Sequence, residues 1–492
     1  MFASLEIPDL ESPLEAREGS LDPPDWYVFR AQAHRMLDDM LDYTEYIRER
    51  PVWQPIPLTV RKAFRQPFPQ KPVGLESAHE IFMRHILPYA VGNVHPGFMG
   101  WVHGGGTPAG MLAEMLAAGL NANLGGRDQI PIEVERQVVQ WVRELFGFPD
   151  TASGLFVTGT SMANLIAVLV ARTSAGGDAV RQQGVNADGG RLVAYTSEGA
   201  HGSIAQAMDL TGLGKDALRI IPMNPDYQMD LRALESALDR DRAAGLVPFL
   251  IAATAGTVDV GAIDDLKGIA RIAEREKVWF HVDGAFGALA MLAPDLSPLL
   301  AGIEQADSVA FDFNKWGQVP YDAGFVLVRD GAIHQATFAS PTAYLRREKR
   351  GMAAGSPWPC DFGPDLSRGF RALKTWFTIQ TFGAQKLGAM ISKTCLLARH
   401  LKQRVEDEPR LELLAPVALN IVCFRYRAEY EPDEVNRNIV CDLQESGIAA
   451  PSTTVVNGRL AIRAAIVNHR TERRDIDAMI KAVLALGPKN ER

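Results

Sequence analysis

Between residues 150 and 330, short runs of β-branched and apolar residues alternate with stretches whose apolar positions recur at helical spacing. The runs are LVAYT at 192–196, LRIIPM at 218–223, VPFLIAAT at 247–254, VWFHVD at 278–283 and SVAFDF at 308–313, with helical patterns over 231–244 and 263–276. Short β-branched and apolar runs of this kind predict strands. Strands separated by helical crossovers predict parallel pairing, because a tight turn cannot reach a parallel neighbour. Sheets of this kind bind ligands at the carboxyl ends of their strands.

The flanking regions have a different texture. An amphipathic pattern over 26–48 sets Val28, Leu37, Leu41 and Tyr43 among charges, and Pro51, Pro55 and Pro57 then end it. This proline-rich opening is too short and open to hold a core alone, so it is expected to pack on another part of the chain or on a second subunit. Residues 346–364, rich in Gly, Pro and charge, predict a loop, and 367–404 a long helix. The strands ALNIVCFRY and RLAIRAAI in the last 90 residues predict a smaller α+β domain. The expected division is an N-terminal helical segment over 1–90, a large domain over 91–365 and a small C-terminal domain over 366–492.

Composition adds mainly exclusions. The 492 residues are 47% hydrophobic and 22% charged with a net charge of −8, an ordinary globular mixture without a basic block. Nucleic acid and anionic membranes are therefore not expected partners. Cys360, Cys395, Cys423 and Cys441 are widely and irregularly spaced, which fits neither a disulfide framework nor a zinc site. No metal is expected. The first twenty residues are acidic and polar, unlike a signal peptide, and the longest apolar runs are far shorter than the ~20 residues of a spanning helix. A reducing cytoplasm is the expected compartment.

Four polar features lie where strands end. The turn Thr158-Gly159-Thr160-Ser161 opens a helical run; with Ser161 as the N-cap, free backbone N–H groups and the helix dipole would favour an anion. His281-Val282-Asp283 ends an apolar strand, where a buried carboxylate calls for a cation such as a protonated heterocyclic nitrogen. Lys315 lies among aromatics in FDFNKW, where desolvation can turn an amine into a nucleophile able to form a Schiff base. His201 follows the strand at 192–196. Singly, these have ordinary readings: a helix start, a surface aspartate, a solvated lysine, a loop histidine. In the order phosphate turn, His201, Thr254, Asp283, Lys315 they describe a pyridoxal phosphate site, which needs a lysine for its aldehyde, a carboxylate for its ring nitrogen and donors for its phosphate.

At this level of detail the sequence resembles the group II pyridoxal phosphate-dependent amino acid decarboxylases, the family of aromatic-L-amino-acid and glutamate decarboxylases. The carriers are His95-Pro96-Gly97-Phe98, Pro131-Ile132-Glu133-Val134-Glu135, Gly159-Thr160-Ser161-Met162-Ala163-Asn164, His201 with Ser203, Ala253-Thr254-Ala255-Gly256-Thr257, His281-Val282-Asp283, Asp307-Ser308 leading to Lys315-Trp316, and Asn468-His469-Arg470-Thr471. The resemblance implies fold type I, the aspartate aminotransferase architecture, with a mostly parallel seven-stranded sheet and a homodimer whose active sites lie between subunits. It implies that Lys315 carries the cofactor as an aldimine and Asp283 pairs with the pyridinium. His201 would stack on the ring and help place the substrate carboxylate. Gly159, Thr160, Ser161 and Asp312 would surround the phosphate, Thr254 and Ala285 would line the ring, and Trp101, His103 and Gly104 would form the side-chain pocket, with Gly104 to Gly106 leaving it space.

Two positions depart from the family pattern. Asn314 stands where a histidine usually precedes the lysine, and no tyrosine falls in the region of Trp358-Pro359-Cys360, where the family's mobile loop carries the tyrosine that protonates the quinonoid. Tyr344 and Cys360 are the nearest substitutes. The favoured activity is decarboxylation of an L-amino acid, with an aromatic one as a candidate, to an amine. The alternatives are an oxidative route to aldehyde, ammonia and peroxide, and cofactor binding without turnover.

Overall fold

The computed structural model describes residues 20–185, 191–339 and 346–491. The N-terminal reading over the first nineteen residues and the Tyr344 assignment lie outside the described residues. The chain divides into two units, one holding residues up to 49 and 55–90, the other 50–54 and everything from 91 on.

In the first unit a helix spans Trp26–Glu45, its start fixed by the Asp25 carboxylate, which accepts from the backbone N–H of Tyr27 and Val28. It stops three residues short of the predicted end. Only Gln32 of this helix is buried, while Tyr27 is 84% and Val28 62% exposed. Of the apolar positions seen in the sequence, Val28 and Leu41 are exposed, while Leu37 and Tyr43 are half-buried.

The second unit is built on a seven-stranded sheet. Its strands are β2 (Ser153–Val157), β3 (Leu192–Ser197), β4 (Leu218–Ile221), β5 (Val247–Thr254), β6 (Trp279–Asp283), β7 (Ser308–Asp312) and β8 (Gly324–Val328), in the order β2-β8-β7-β6-β5-β3-β4. Pairings from β4 through β7 are parallel, and β8 runs antiparallel between β7 and β2. The architecture is the mostly parallel α/β sheet of fold type I. All five strands expected from the apolar runs are present; β2 and β8 complete the sheet.

The crossover helices explain themselves locally. Leu266–Glu276 is capped by Asp265, which accepts from Gly268 N–H, and buries Leu266, Ile269, Ala270, Ile272 and Ala273 on one face. The helix Thr160–Gln183 buries Ala163, Ile166, Ala167 and Val170 against the sheet and breaks at Gly177 (φ 57°). Its N-cap is Gly159, not Ser161, which lies one residue inside the helix.

A second sheet, β1-β11-β12-β10-β9, is formed by Phe98–Met99 (β1), Leu411–Leu413 (β9), Ile421–Tyr426 (β10), Ala450–Val456 (β11) and Arg459–Ala465 (β12). Helices Pro432–Glu445 and Arg473–Asn490 bury Ile439, Leu443, Met479 and Val483 against it. β1 joins this sheet from far upstream, pairing parallel with β11. The helix Arg371–Glu406 ties the two sheets: Ala372, Leu373 and Ile391 pack into the core of the first, Leu397, Leu401 and Val405 into that of the second.

Candidate active site

The strand register assembles the site. Thr254, Asp283 and Asp312 are the last residues of β5, β6 and β7. Thr254 pairs with Asp283 and Asp283 with Ala310, so three polar side chains meet at one end of the sheet. They open on a cavity of about 420 Å³ that Gly159, Thr160, Ser161, His201, Ala285 and Lys315 also line. Residues far apart in sequence thus converge as the strand ends suggested.

Beneath the cavity runs a directed hydrogen-bond network. Asn164 uses both amide hydrogens, one on Asp283 Oδ2 and one on Ser203 Oγ, each at 2.9 Å. Its Oδ1 must therefore accept, and the donor is His281 Nε2–H at 2.9 Å. His281 Nδ1 is left to accept from Ser308 Oγ, which itself accepts from Trp279 Nε1. Ser203 Oγ–H points to His201 Nδ1 at 2.9 Å, so neutral His201 carries its proton on Nε2. Burial pushes His281 down to about 3, which keeps it neutral.

Asp283 is fully buried, and burial raises its pKa against the pull of Asn164, Lys315 and the Ala285 N–H. The Lys315 ammonium is engaged instead with Asp312, at 2.8 Å. Asp312 also accepts from Thr160 N–H at 2.8 Å. A carboxylate thus occupies the helix start expected to hold the phosphate and takes one of its donors.

Pyridoxal phosphate fits this site on three observations. Asp283 is a buried carboxylate whose only hydrogen-bond donors among the described residues are Asn164 and Ala285, so a ring N–H⁺ would supply its missing cation. The hydroxyls of Thr160 and Thr254 are buried without a partner and face the cavity region. The lysine lies at the same cavity.

One wall is aromatic. His103 packs against Phe98 (5.6 Å) and Trp101 (5.9 Å), whose own rings lie 6.3 Å apart, and meets Tyr321 edge-on at 5.8 Å. Burial lowers the pKa of His103, and the Lys315 charge adds to this. Trp101 and His103 line the cavity; Gly104 does not. A side chain there would fall 2.4 Å from the carbonyl oxygens of Asn314 and Lys315, and at Gly105 it would collide with Asn468. These glycines admit backbone beside the lysine turn rather than leaving room for substrate.

Other motifs brace the site. Asn468 donates to the carbonyls of Asn93, Val94 and His95, and Thr471 to that of Pro96, fastening the strand that leads to Trp101. Glu135 forms a buried ion pair with Arg368 at 2.6 Å. Cys360 is not at the cavity: its sulfur lies 3.8 Å from Arg347, its N–H is bonded to the Gly125 carbonyl, and burial raises its pKa.

Sequence reasoning passed over Asn164, Tyr321 and Arg463. Asn164 falls one helical turn after Thr160 and so shares its face. Arg463 is the one charge inside the apolar run of β12; it lines the cavity and donates to the carbonyls of Trp101 and Val258. Tyr321 follows the lysine by six residues and gave no periodic signal.

Fold and site together define a fold type I pyridoxal phosphate enzyme. The pyridoxal-dependent decarboxylase conserved domain matches residues 57–427. An aromatic-L-amino-acid decarboxylase of Bacillus atrophaeus is 30% identical over 93% of this chain and 95% of its own. A phenylacetaldehyde synthase of Arabidopsis thaliana is 27% identical over 94% of this chain and 96% of its own. Among solved structures, the Oryza sativa TDC with PLP and tryptamine superposes with a TM-score of 0.86 at 24% identity, covering 96% of this chain and all of that one. The chain belongs to the pyridoxal-dependent decarboxylase family. It is an amino acid decarboxylase, a carboxy-lyase that uses pyridoxal phosphate.

Proposed function

We propose that this enzyme converts an aromatic L-amino acid to its amine and CO2, with Lys315, Asp283 and His201 as the groups acting on cofactor and substrate. The observation that carries the substrate class is the wall of Trp101, His103 and Tyr321 on the cavity that holds Lys315. Flat rings offer stacking faces worth about 0.5–1.5 kcal/mol each beyond the area they bury. When bound, the cofactor supplies an aldehyde for the substrate amine and a protonated ring that accepts the electron pair of a bond broken at Cα. Asp283 holds the proton on that ring nitrogen, and Asn164 and the Ala285 N–H fix the carboxylate's orientation. His201 Nε2–H is free to donate to the substrate carboxylate. Thr160, Ser161 and Thr254 supply hydroxyls, and Thr160 and Thr254 hold theirs unpaired. Asp312 takes up the Lys315 ammonium and releases it as the lysine reacts.

The test is CO2 release from L-tryptophan, L-tyrosine and L-phenylalanine against L-glutamate. An aromatic preference of at least about tenfold in kcat/KM is expected, and a glutamate preference would overturn the assignment. An aldehyde-forming reaction is the second reading, favoured by the absence of any tyrosine over 346–364 and by the placement of Cys360 away from the cavity. Oxygen uptake and peroxide in proportion to CO2 would establish it.

The same reading takes the molecule to be a cytoplasmic homodimer in which residues 1–90 help to pair subunits, 91–365 hold the cofactor and 366–492 form the smaller domain. Supporting the dimer are the uncovered apolar residues of Trp26–Glu45 and, in the second unit, Met115, Leu116 and Leu120. Four free thiols suit a reducing compartment. Among the described residues no helix is long and apolar enough to cross a membrane.

A further inference from the structure

Asp312 ends β7 beside the start of the helix Thr160–Gln183, and it is held there from several sides. Its backbone N–H donates to the Ala285 carbonyl at 2.9 Å, its carboxylate accepts from the Thr160 N–H and from the Lys315 ammonium, each at 2.8 Å, and the residue is 4% exposed. The turn before that helix lies tight against β8: a Cβ on Gly324, the residue paired with Asp312, would fall 2.4 Å from the Gly159 Cα. This is the seat described above for the cofactor's phosphate, so two anions meet at one helix start.

The charges at that seat do not balance. A helix N-terminus offers roughly half a positive charge. A phosphate monoester brings about −1.5 to −2 at neutral pH, and the Asp312 carboxylate adds its own. Lys315 and Arg463 are the only lysine or arginine side chains lining the cavity among the described residues. Arg463 is engaged with the carbonyls of Trp101, Val258 and Asp259, and Lys315 gives up its ammonium when it reacts with the cofactor's aldehyde. Like charges sharing one site disfavour full ionisation of both.

We propose that Asp312 makes the site select the singly protonated form of the cofactor's phosphate, whose P–O–H donates to the Asp312 carboxylate. This rests on the cofactor seat described above, not on the choice of substrate. Above the phosphate's second ionisation, at about pH 6, binding therefore takes one proton up from solution. Only about a tenth of free pyridoxal phosphate carries that proton at pH 7, and about a hundredth at pH 8. An amide at the same position donates through its NH2, so it accepts the doubly charged phosphate equally well.

The test titrates pyridoxal phosphate by absorbance into the full-chain apoprotein, wild type and Asp312→Asn, across the range from about pH 6 to about pH 8, and records the phosphorus NMR resonance of the bound phosphate over the same range. His103, His201, Asp259, Asp283, Lys315 and Tyr321 face the same cavity in both proteins, so the ratio of the two Kd values isolates Asp312. That ratio, wild type over variant, is expected to rise at least about tenfold across this range. The wild-type resonance should stay at the singly protonated position throughout, while that of Asp312→Asn lies at the doubly charged one. A ratio independent of pH would overturn the proposal. So would a doubly charged phosphate bound to the wild type at the alkaline end, a result that needs no variant and stands even where Asp312→Asn fails to fold. A wild type that takes up no pyridoxal phosphate would strike the cofactor seat itself, and the inference with it.

Discussion

On the floor of the cavity both amide hydrogens and the oxygen of Asn164, both ring nitrogens of His281 and the hydroxyls of Ser203 and Ser308 all have partners inside the chain. Along the wall, Trp101, His103 and Tyr321 meet one another through ring faces and edges. The floor is therefore all-or-none: removing one member leaves several buried groups unsatisfied, each costing about 1–3 kcal/mol. The wall is modular, since ring contacts are individually small and can be exchanged singly. A family can then keep one cofactor seat while changing the side chain it accepts.

The largest break should come at Asp283. Asp283→Ala is expected to lower kcat by about 10²–10³-fold, the order lost when a preorganised electrostatic partner of the reacting group is removed. The pyridoxal phosphate absorbance of the variant and its single-turnover rate would check this. Next comes Asn164→Ala, which strands Asp283, Ser203 and His281 together. It should cost about 2–4 kcal/mol in unfolding free energy, read as a lowered urea midpoint, and weaken cofactor binding as well. Trp101→Ala should do the reverse. It should leave the unfolding free energy within about 0.5 kcal/mol and raise KM for an aromatic substrate about tenfold, the separation expected if wall and floor are independent.

The last effect concerns pH. The folded His281 is pushed down to about 3, and His334 likewise, while an unfolded histidine titrates near 6.5. Their neutral burial therefore stabilises the fold fully above about 6.5, and this is lost as pH falls toward 3, at up to about 1.4 kcal/mol per pH unit for each. Asp264, pushed up to about 6 by burial, works the other way, because the folded form takes its proton before the unfolded one. The net slope should be a loss of stability below pH 6.5, measured by urea unfolding at pH 7, 6 and 5. His281→Gln should flatten it, and Trp101→Ala should leave it unchanged.

The sequence made the floor more legible than the wall, for a physical reason. Strands buried on both faces must be apolar throughout, so the polar residues closing β5, β6 and β7 stand out at Thr254, Asp283 and Asp312. β2 and β8, five residues each like β6 and β7, begin at Ser153-Gly154 and Gly324, and the seven-strand count came from the family resemblance. The wall carries no periodicity, because Trp101 and Tyr321 lie in irregular segments placed by tertiary contacts. Gly104 shows the limit most sharply: an absent side chain reads as space in a sequence, whereas two carbonyl oxygens fill it in the fold. Asn164 was visible as a letter of a motif, but its role required knowing that three partners converge on it.

Lys315 is the residue expected to bind the cofactor covalently. Sodium borohydride reduction of the protein loaded with pyridoxal phosphate, followed by peptide mass mapping, tests this most directly. The predicted result is one stoichiometric pyridoxyl modification on the peptide carrying Phe313-Asn314-Lys315-Trp316, absent in Lys315→Ala. Modification at another lysine, or none in a protein saturated with cofactor, would contradict it.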